Sequence, residues 1–297
     1  MSGPIRGIAD AADAGEAYVR KYAEVSFGQE GLILDLVGPH DHAYAVVHGA
    51  MTAIARITER TGAAVDALAA RLDEPAEPDQ VRPVTDPTVH FRDADQAGDG
   101  VGFDLDGDPL SPPAVIREVV YQLAGVDPFV WMVGWLRGDW AAYRTCGTAW
   151  EHVADACPDF ATNLTRAAGD TPGRYREPLR LLAAAVEEIQ LTCEVLAENY
   201  RAAAEVASQL HEALTVVAGE IVDTVLMAMA AAAVGDATVE TAVGPVTGYG
   251  AAAYHARQVL DLINEAVTLY GRSRTVVAGI TTTVRDLDAI TVQEEGN

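Results

Sequence analysis

Residues 178–235 read PLRLLAAAVEEIQLTCEVLAENYRAAAEVASQLHEALTVVAGEIVDTVLMAMAAAAVG. Within them Leu182, Val186, Ile189, Cys193, Leu196, Tyr200, Ala203, Ala207, Leu210, Leu214, Val217 and Ile221 step by four and three without a break, which is the signature of a heptad seam. Pro178 suits the first turn of a helix and Gly235 its end, so about 55 residues and roughly 80 Å of continuous helix are expected. A helix of that length is stable only as the spine of an elongated bundle. Its most apolar run, 221–235, is interrupted by Asp223 and falls short of the roughly 20 residues that span a bilayer, so a buried helix is expected there.

Working backwards along the chain, a second seam runs through Trp140, Tyr143, Gly147, Trp150, Ala154, Cys157, Ala161 and Leu164, with Asp139 as N-cap and Pro158 as a candidate kink. The breakers of AAGDTPGRYREP, 167–178, fold the two seams back as an antiparallel hairpin. Trp131 and Trp135 stand four apart on a short preceding helix started by Asp127 and Pro128. Large aromatics at seam spacing fill cores, so Trp131, Trp135, Trp140, Trp150 and Tyr200 are assigned to the structural core.

The first 75 residues repeat the pattern on a smaller scale. Ile8, Ala11, Gly15, Tyr18, Tyr22 and Val25 form one seam, SFGQEG a turn, and Val47, Met51, Ile54, Thr58, Thr61, Val65, Leu68 and Leu72 the returning seam, with GPHDH a break before it. Residues 73–108 carry 11 acids against two arginines, which predicts a flexible acidic linker. The last helix, after a glycine-rich turn, places Val259, Ile263, Ala266 and Tyr270 toward the spine. The expected fold is therefore all-α, an elongated bundle of antiparallel helical hairpins with one very long helix. It divides into a small hairpin at 1–75, a linker at 76–112, a larger helical domain at 113–284 and a frayed tail at 285–297.

A formal charge of -24 excludes nucleic acid as a partner and disfavours an anionic membrane. Three cysteines and the lack of a secretory leader point to synthesis in a reducing cytoplasm without Sec export. No catalytic constellation is visible. His40, Asp41, His42 and His48 cluster at a turn without matching ligands and read as solvated. His152, His211 and His255 are isolated, and the cysteines sit on or beside seams. DADQAGDG fails as a calcium loop at Ala97 and Asp104, and GPVTGYG lacks phosphate-loop spacing. No cofactor, metal or enzymatic activity is expected.

Three segments carry a family resemblance. DPFVWMVGWLRGDWAAYRTCGTAWEHVADA (127–156) and AVGPVTGYGAAAYHARQVLDLINEA (242–266), with the spine between them, resemble the WXG-like N-terminal domain of actinobacterial secreted toxins. Residues 18–68, YVRKYAEVSFGQEGLILDLVGPHDHAYAVVHGAMTAIARITERTGAAVDAL, are similar to the small EspC-like proteins of type VII (ESX) secretion. The resemblance implies partner or machinery contact at the hairpin turns. Those turns hold Phe27, Gly28 and Gly31 in the small hairpin and Pro172, Gly173 and Tyr175, after Thr171, in the large one. It also implies partners among other WXG-type proteins or the type VII machinery, with two hairpins pairing within one chain. Homo-oligomerisation, a pore-forming assembly using 221–235, and a cytoplasmic chaperone of a WXG-type protein are the alternatives. The family's export signal, Tyr-x-x-x-Asp/Glu, is matched by none of the ten tyrosines.

Overall fold

The computed structural model describes residues 3–28, 30–72, 85–94, 110–171, 173–237 and 244–285. Seven α-helices lie among these, with no strand among the described residues: α1 Gly3–Ala23, α2 Leu34–Leu72, α3 Ala114–Ala124, α4 Pro128–Leu136, α5 Trp140–Asp170, α6 Arg176–Ala237 and α7 Gly244–Arg285. The all-helical bundle read from the seams is what the chain forms. At 62 residues, α6 is about 93 Å long. All twelve of its seam residues are buried.

Local chemistry places the helix starts. The Asp127 carboxylate accepts from the amides of Phe129 and Val130 and starts α4, while Asp139 accepts from Ala142 and starts α5. Both satisfy amide groups that a helix leaves unpaired at its first turn. A left-handed Gly125 ends α3.

In three places the chain differs from its sequence reading. First, α5 runs unbroken through Pro158 and is buried on more than its seam. Cys146, Ala149, Val153, Ala156 and Phe160 are also buried, because α5 lies between α6 and α1. Second, α7 begins at Gly244, so the expected glycine-rich turn is helical. Third, GPHDH is no break. α2 passes through Pro39, whose missing amide leaves the Asp35 carbonyl without its helical donor. The Thr281 hydroxyl of α7, which donates to its own helix at the Val277 carbonyl at 2.9 Å, stands 3.3 Å from the Asp35 carbonyl and shares its proton with it, and Arg274 pairs with the Asp35 carboxylate at 2.9 Å. The proline defect thereby becomes a docking point between α2 and α7.

The two hairpins share one apolar core, with α1 packed on α5 and α2 on α6 and α7. Part of the stretch read as a flexible linker is a strap laid over that contact. In residues 85–94, Asp86 caps a 3₁₀ turn at Pro87–His90, and Pro87 and Ala94 are buried. The Asn163 amide of α5 donates to the Thr85 carbonyl at 2.7 Å, His90 meets Asp159 at 3.1 Å, and Phe91 stacks on Tyr18 of α1. The strap's apolar residues, Pro87, Phe91 and Ala94, explain why it packs despite an acidic composition. The candidate calcium loop and the tail lie largely or wholly outside the described residues.

Candidate functional site at the hairpin junction

The small hairpin meets the large one where two glycine-bearing turns face each other. Gly28 and Gly31 adopt left-handed φ values of 106° and 79°, and Gly138 one of 137°, a region that side-chain-bearing residues rarely enter. The Leu32 amide donates to the Trp135 carbonyl, and the Asp139 amide to the Phe27 carbonyl, both at 2.9 Å. The first of these bonds satisfies an orphan carbonyl at the C-terminus of α4, so the small hairpin's turn caps a helix of the large hairpin. A Cβ on Gly31 would lie 2.7–2.9 Å from three carbonyl oxygens, and one on Gly138 would lie 2.4 Å from Ile33 Cγ2. Only glycines permit this approach.

Beneath the turns lies an aromatic cluster. Tyr143 of α5 stacks on Tyr200 of α6 with centroids 4.2 Å apart and planes 2° from parallel. Trp150 meets Tyr200 edge-on, Trp140 meets Tyr143 edge-on, and Phe27 packs against Tyr143 at 5.0 Å and His40 at 4.5 Å. The Trp140 indole N–H donates to the Leu136 carbonyl at 3.0 Å. Gly147 leaves room for the Tyr200 side chain, whose Cβ would stand 3.0 Å from an added methyl.

His40, expected in a solvated turn, is 2% exposed. Its Nε2 lies 2.9 Å from the Ala23 carbonyl and its Nδ1 2.6 Å from the Tyr200 hydroxyl. A carbonyl only accepts, so Nε2 carries the proton and Nδ1 accepts from Tyr200. Burial drives the His40 pKa down from 6.5 to about 4, outweighing the opposing effects of the Ala23 hydrogen bond and the neighbouring Asp41. The imidazole is thus a neutral pin joining α1, α2 and α6.

His152 of α5, also expected to be isolated, is a second pin. Its Nδ1 lies 2.6 Å from the Tyr18 hydroxyl of α1, and it makes a backbone hydrogen bond to Arg92 in the strap. Burial, then Arg92, lowers its pKa. Sequence spacing shows nothing of either pin, because their partners stand 160 and 134 residues away. The Cys146 thiol likewise donates across the junction, to the Tyr22 carbonyl at 2.9 Å, and burial raises its pKa.

The assigned core residues divide. Trp140, Trp150 and Tyr200 are buried, whereas Trp135 is half-buried and stacks on Tyr270 at 4.5 Å and 9°. Trp131 is 39% exposed and does not belong to the core. It occupies the outer face of the nine-residue α4, where Phe129, Met132 and Leu136 take the inner one. The turn residues divide too. Phe27 is 2% exposed and, with Gly28 and Gly31, faces the large hairpin instead of solvent. In the other turn Gly173 is exposed at φ 59° and Tyr175 half-buried, while Pro172 lies outside the described residues. Among the described residues no group of three or more His, Cys, Asp or Glu side chains is arranged to hold a metal.

Compared with family models, curated proteins and solved structures, the chain matches none.

Proposed function

We propose that this chain is a non-enzymatic helical protein of type VII (ESX) secretion, acting as a secreted substrate or a secretion-associated binding and assembly module. The observation that carries the reading is the pairing of two unlike hairpins through a common core within one chain, in segments that resemble the EspC-like and WXG-like modules. Tethering holds such a pair at an effective concentration of order mM, so the chain acts as its own heterodimer. With Phe27, Gly28 and Gly31 occupied by the intramolecular contact, the exposed turn around Gly173 and the outer helix faces are the surfaces left for the secretion machinery or other WXG-type proteins.

The test is to tag the protein in its native host and compare culture filtrate with lysate, with and without the type VII motor ATPase. ATPase-dependent appearance in the filtrate is the expected result, and retention in both strains would overturn export. The lack of a Tyr-x-x-x-Asp/Glu match favours a second reading, a cytoplasmic chaperone for a WXG-type protein or toxin. A stoichiometric partner pulled from native cytoplasm would support it, and a lone monomer would count against it.

A further inference from the structure

The groove between α1 and α5 holds a partner group for each part of the strap at 85–94. Gly15, in the middle of α1, leaves a slot for Phe91: an added Cβ there would stand 3.0 Å from Phe91 Cζ and 3.4 Å from Met51 Sδ. Glycine weakens a helix interior, so the slot is made at the expense of α1. Asn163 of α5 is 4% exposed. Its amide donates to the Thr85 carbonyl at 2.7 Å, and its carbonyl oxygen accepts from the Thr85 hydroxyl at 3.1 Å. Both halves of this buried carboxamide are therefore satisfied by the strap. The His152 ring bonds the strap backbone at Arg92.

Charge follows a matching order along the groove. At one end the Asp159 carboxylate lies 3.1 Å from His90 Nε2. At the other the Tyr22 hydroxyl donates to Asp93 at 2.7 Å, and Lys21, the chain's only lysine, contacts that hydroxyl and stands 4.2 Å from the Tyr22 ring centroid. The groove thus favours a carboxylate two residues after the aromatic ring. The strap in turn depends little on the body for its shape. Asp86 caps its turn by accepting from the Thr88 amide at 2.9 Å and hydroxyl at 2.6 Å, with Pro87 at the first position. Its fit is incomplete: only Pro87 and Ala94 are buried, Val89 is 59% exposed, and His90 Nδ1 is buried with no hydrogen-bond partner among the described residues. So little burial, set against the entropy of ordering the segment, makes the strap an element that lifts without unfolding the helices beneath it.

We propose that the α1–α5 groove is a docking site for a short linear segment of a partner protein, and that the strap is its resident, autoinhibitory occupant. The seated strap defines the chemistry of that partner through Asp86, Pro87, Phe91 and Asp93. The segment carries an Asp-Pro turn, a phenylalanine four residues after the proline and a carboxylate two residues further on. Backbone contacts from Asn163 and His152 tolerate other residues between these positions, while the Gly15 slot and the Tyr22 hydroxyl give specificity. A partner that satisfies the group at the His90 position and covers the Val89 position binds better than the strap. The strap competes from within the chain at an effective concentration of order mM. A second copy's strap, identical in chemistry, gains nothing over the one already attached.

The experiment uses the full chain and a fluorescein-labelled peptide of sequence TDPTVHFRDA, read by fluorescence anisotropy. Phe91→Asp, which drives the strap from its slot, keeps the helical circular dichroism. It binds the peptide about tenfold or more tightly than wild type, in which the attached strap competes. Adding Gly15→Val, which fills the slot, or Asn163→Leu, which removes the backbone contact, to Phe91→Asp abolishes that binding. A peptide with alanine in place of its phenylalanine binds neither chain. Equal binding to wild type and Phe91→Asp, or none to Phe91→Asp while its helices persist, would overturn the inference. Loss of helical dichroism in Phe91→Asp and in the milder Phe91→Ala alike would do the same, since the strap would then be part of the fold and not a ligand. So would a wild-type dimer that Phe91→Asp converts to a monomer, which assigns the groove to the strap of a second copy.

Discussion

Replacing His40 with glutamine isolates a pH dependence that the junction builds into the fold. At pH 7 the imidazole is neutral in the folded chain and mostly neutral in the unfolded one. As pH falls through 6.5 the unfolded chain takes up a proton, while the folded chain resists until about pH 4, because the buried ring has exchanged water for the Ala23 carbonyl and the Tyr200 hydroxyl. The unfolded state thus binds more protons in this window, and stability present above 6.5 is lost as pH drops through 4. The gap between 6.5 and about 4, at about 1.36 kcal/mol per pH unit, sets the loss at about 3 kcal/mol. The assay is urea unfolding followed by tryptophan fluorescence at steps from pH 7 to 4, for wild type and His40→Gln. The variant is less stable at pH 7 by about 1–3 kcal/mol through its disturbed hydrogen bonds, and the two curves converge as pH falls. His152, whose pKa is also lowered, acts in the same direction in both proteins and cancels in the difference. Curves that stay parallel across this range would refute the neutral-pin assignment.

Four further outcomes are expected. Trp150→Ala lowers stability by about 3–5 kcal/mol, whereas Trp131→Ala stays within about 0.5, since only the first leaves a cavity; equal melting shifts would contradict the division of the tryptophans. Gly31→Ala and Gly138→Ala each lower stability by about 1–3 kcal/mol or more, through positive φ and direct collision, while the open Gly173 tolerates alanine with a smaller loss, all read from melting temperature. Burial raises the pKa of all three thiols, that of Cys157 to about 12, so a thiol reagent at pH 8 labels none in the folded chain and three after denaturation; prompt labelling would contradict the packing. Amide exchange protects 182–207 more strongly than 220–233, where the buried face of α6 narrows to Ile221, Thr224, Val225 and Ala228; equal protection would mean that the spine unfolds only as a unit.

The spine was legible because its periodicity is a local property. Every residue from Leu182 to Ile221 on the seam is buried whatever covers it, so the pattern needs no knowledge of the partner. The caps Asp127 and Asp139 were legible for the same reason, since each acts on amides two or three residues away. What the sequence concealed depends on distant residues. His40 follows a glycine and a proline and has the composition of a turn, yet packing against Tyr200 and Phe27 holds it in a buried helix. Trp131 has core chemistry but stands on the wrong side of a short helix, where four residues of spacing do not reveal which side faces in. The strap resisted reading because acidic composition outweighed the few apolar side chains, Pro87, Phe91 and Ala94, that settle its position.

The pairing of glycines across the junction has an energetic consequence. A docked turn that depends on Gly28, Gly31 and Gly138 is fixed in geometry by those glycines, and its strength comes from the side chains packed with it. Those residues are Phe27, His40, Tyr143 and Tyr200, which come from four separate segments of the chain. Removing the small hairpin would therefore uncover the tyrosine pair to water and take away the apolar contacts of Phe27 and the His40 hydrogen bond that hold it.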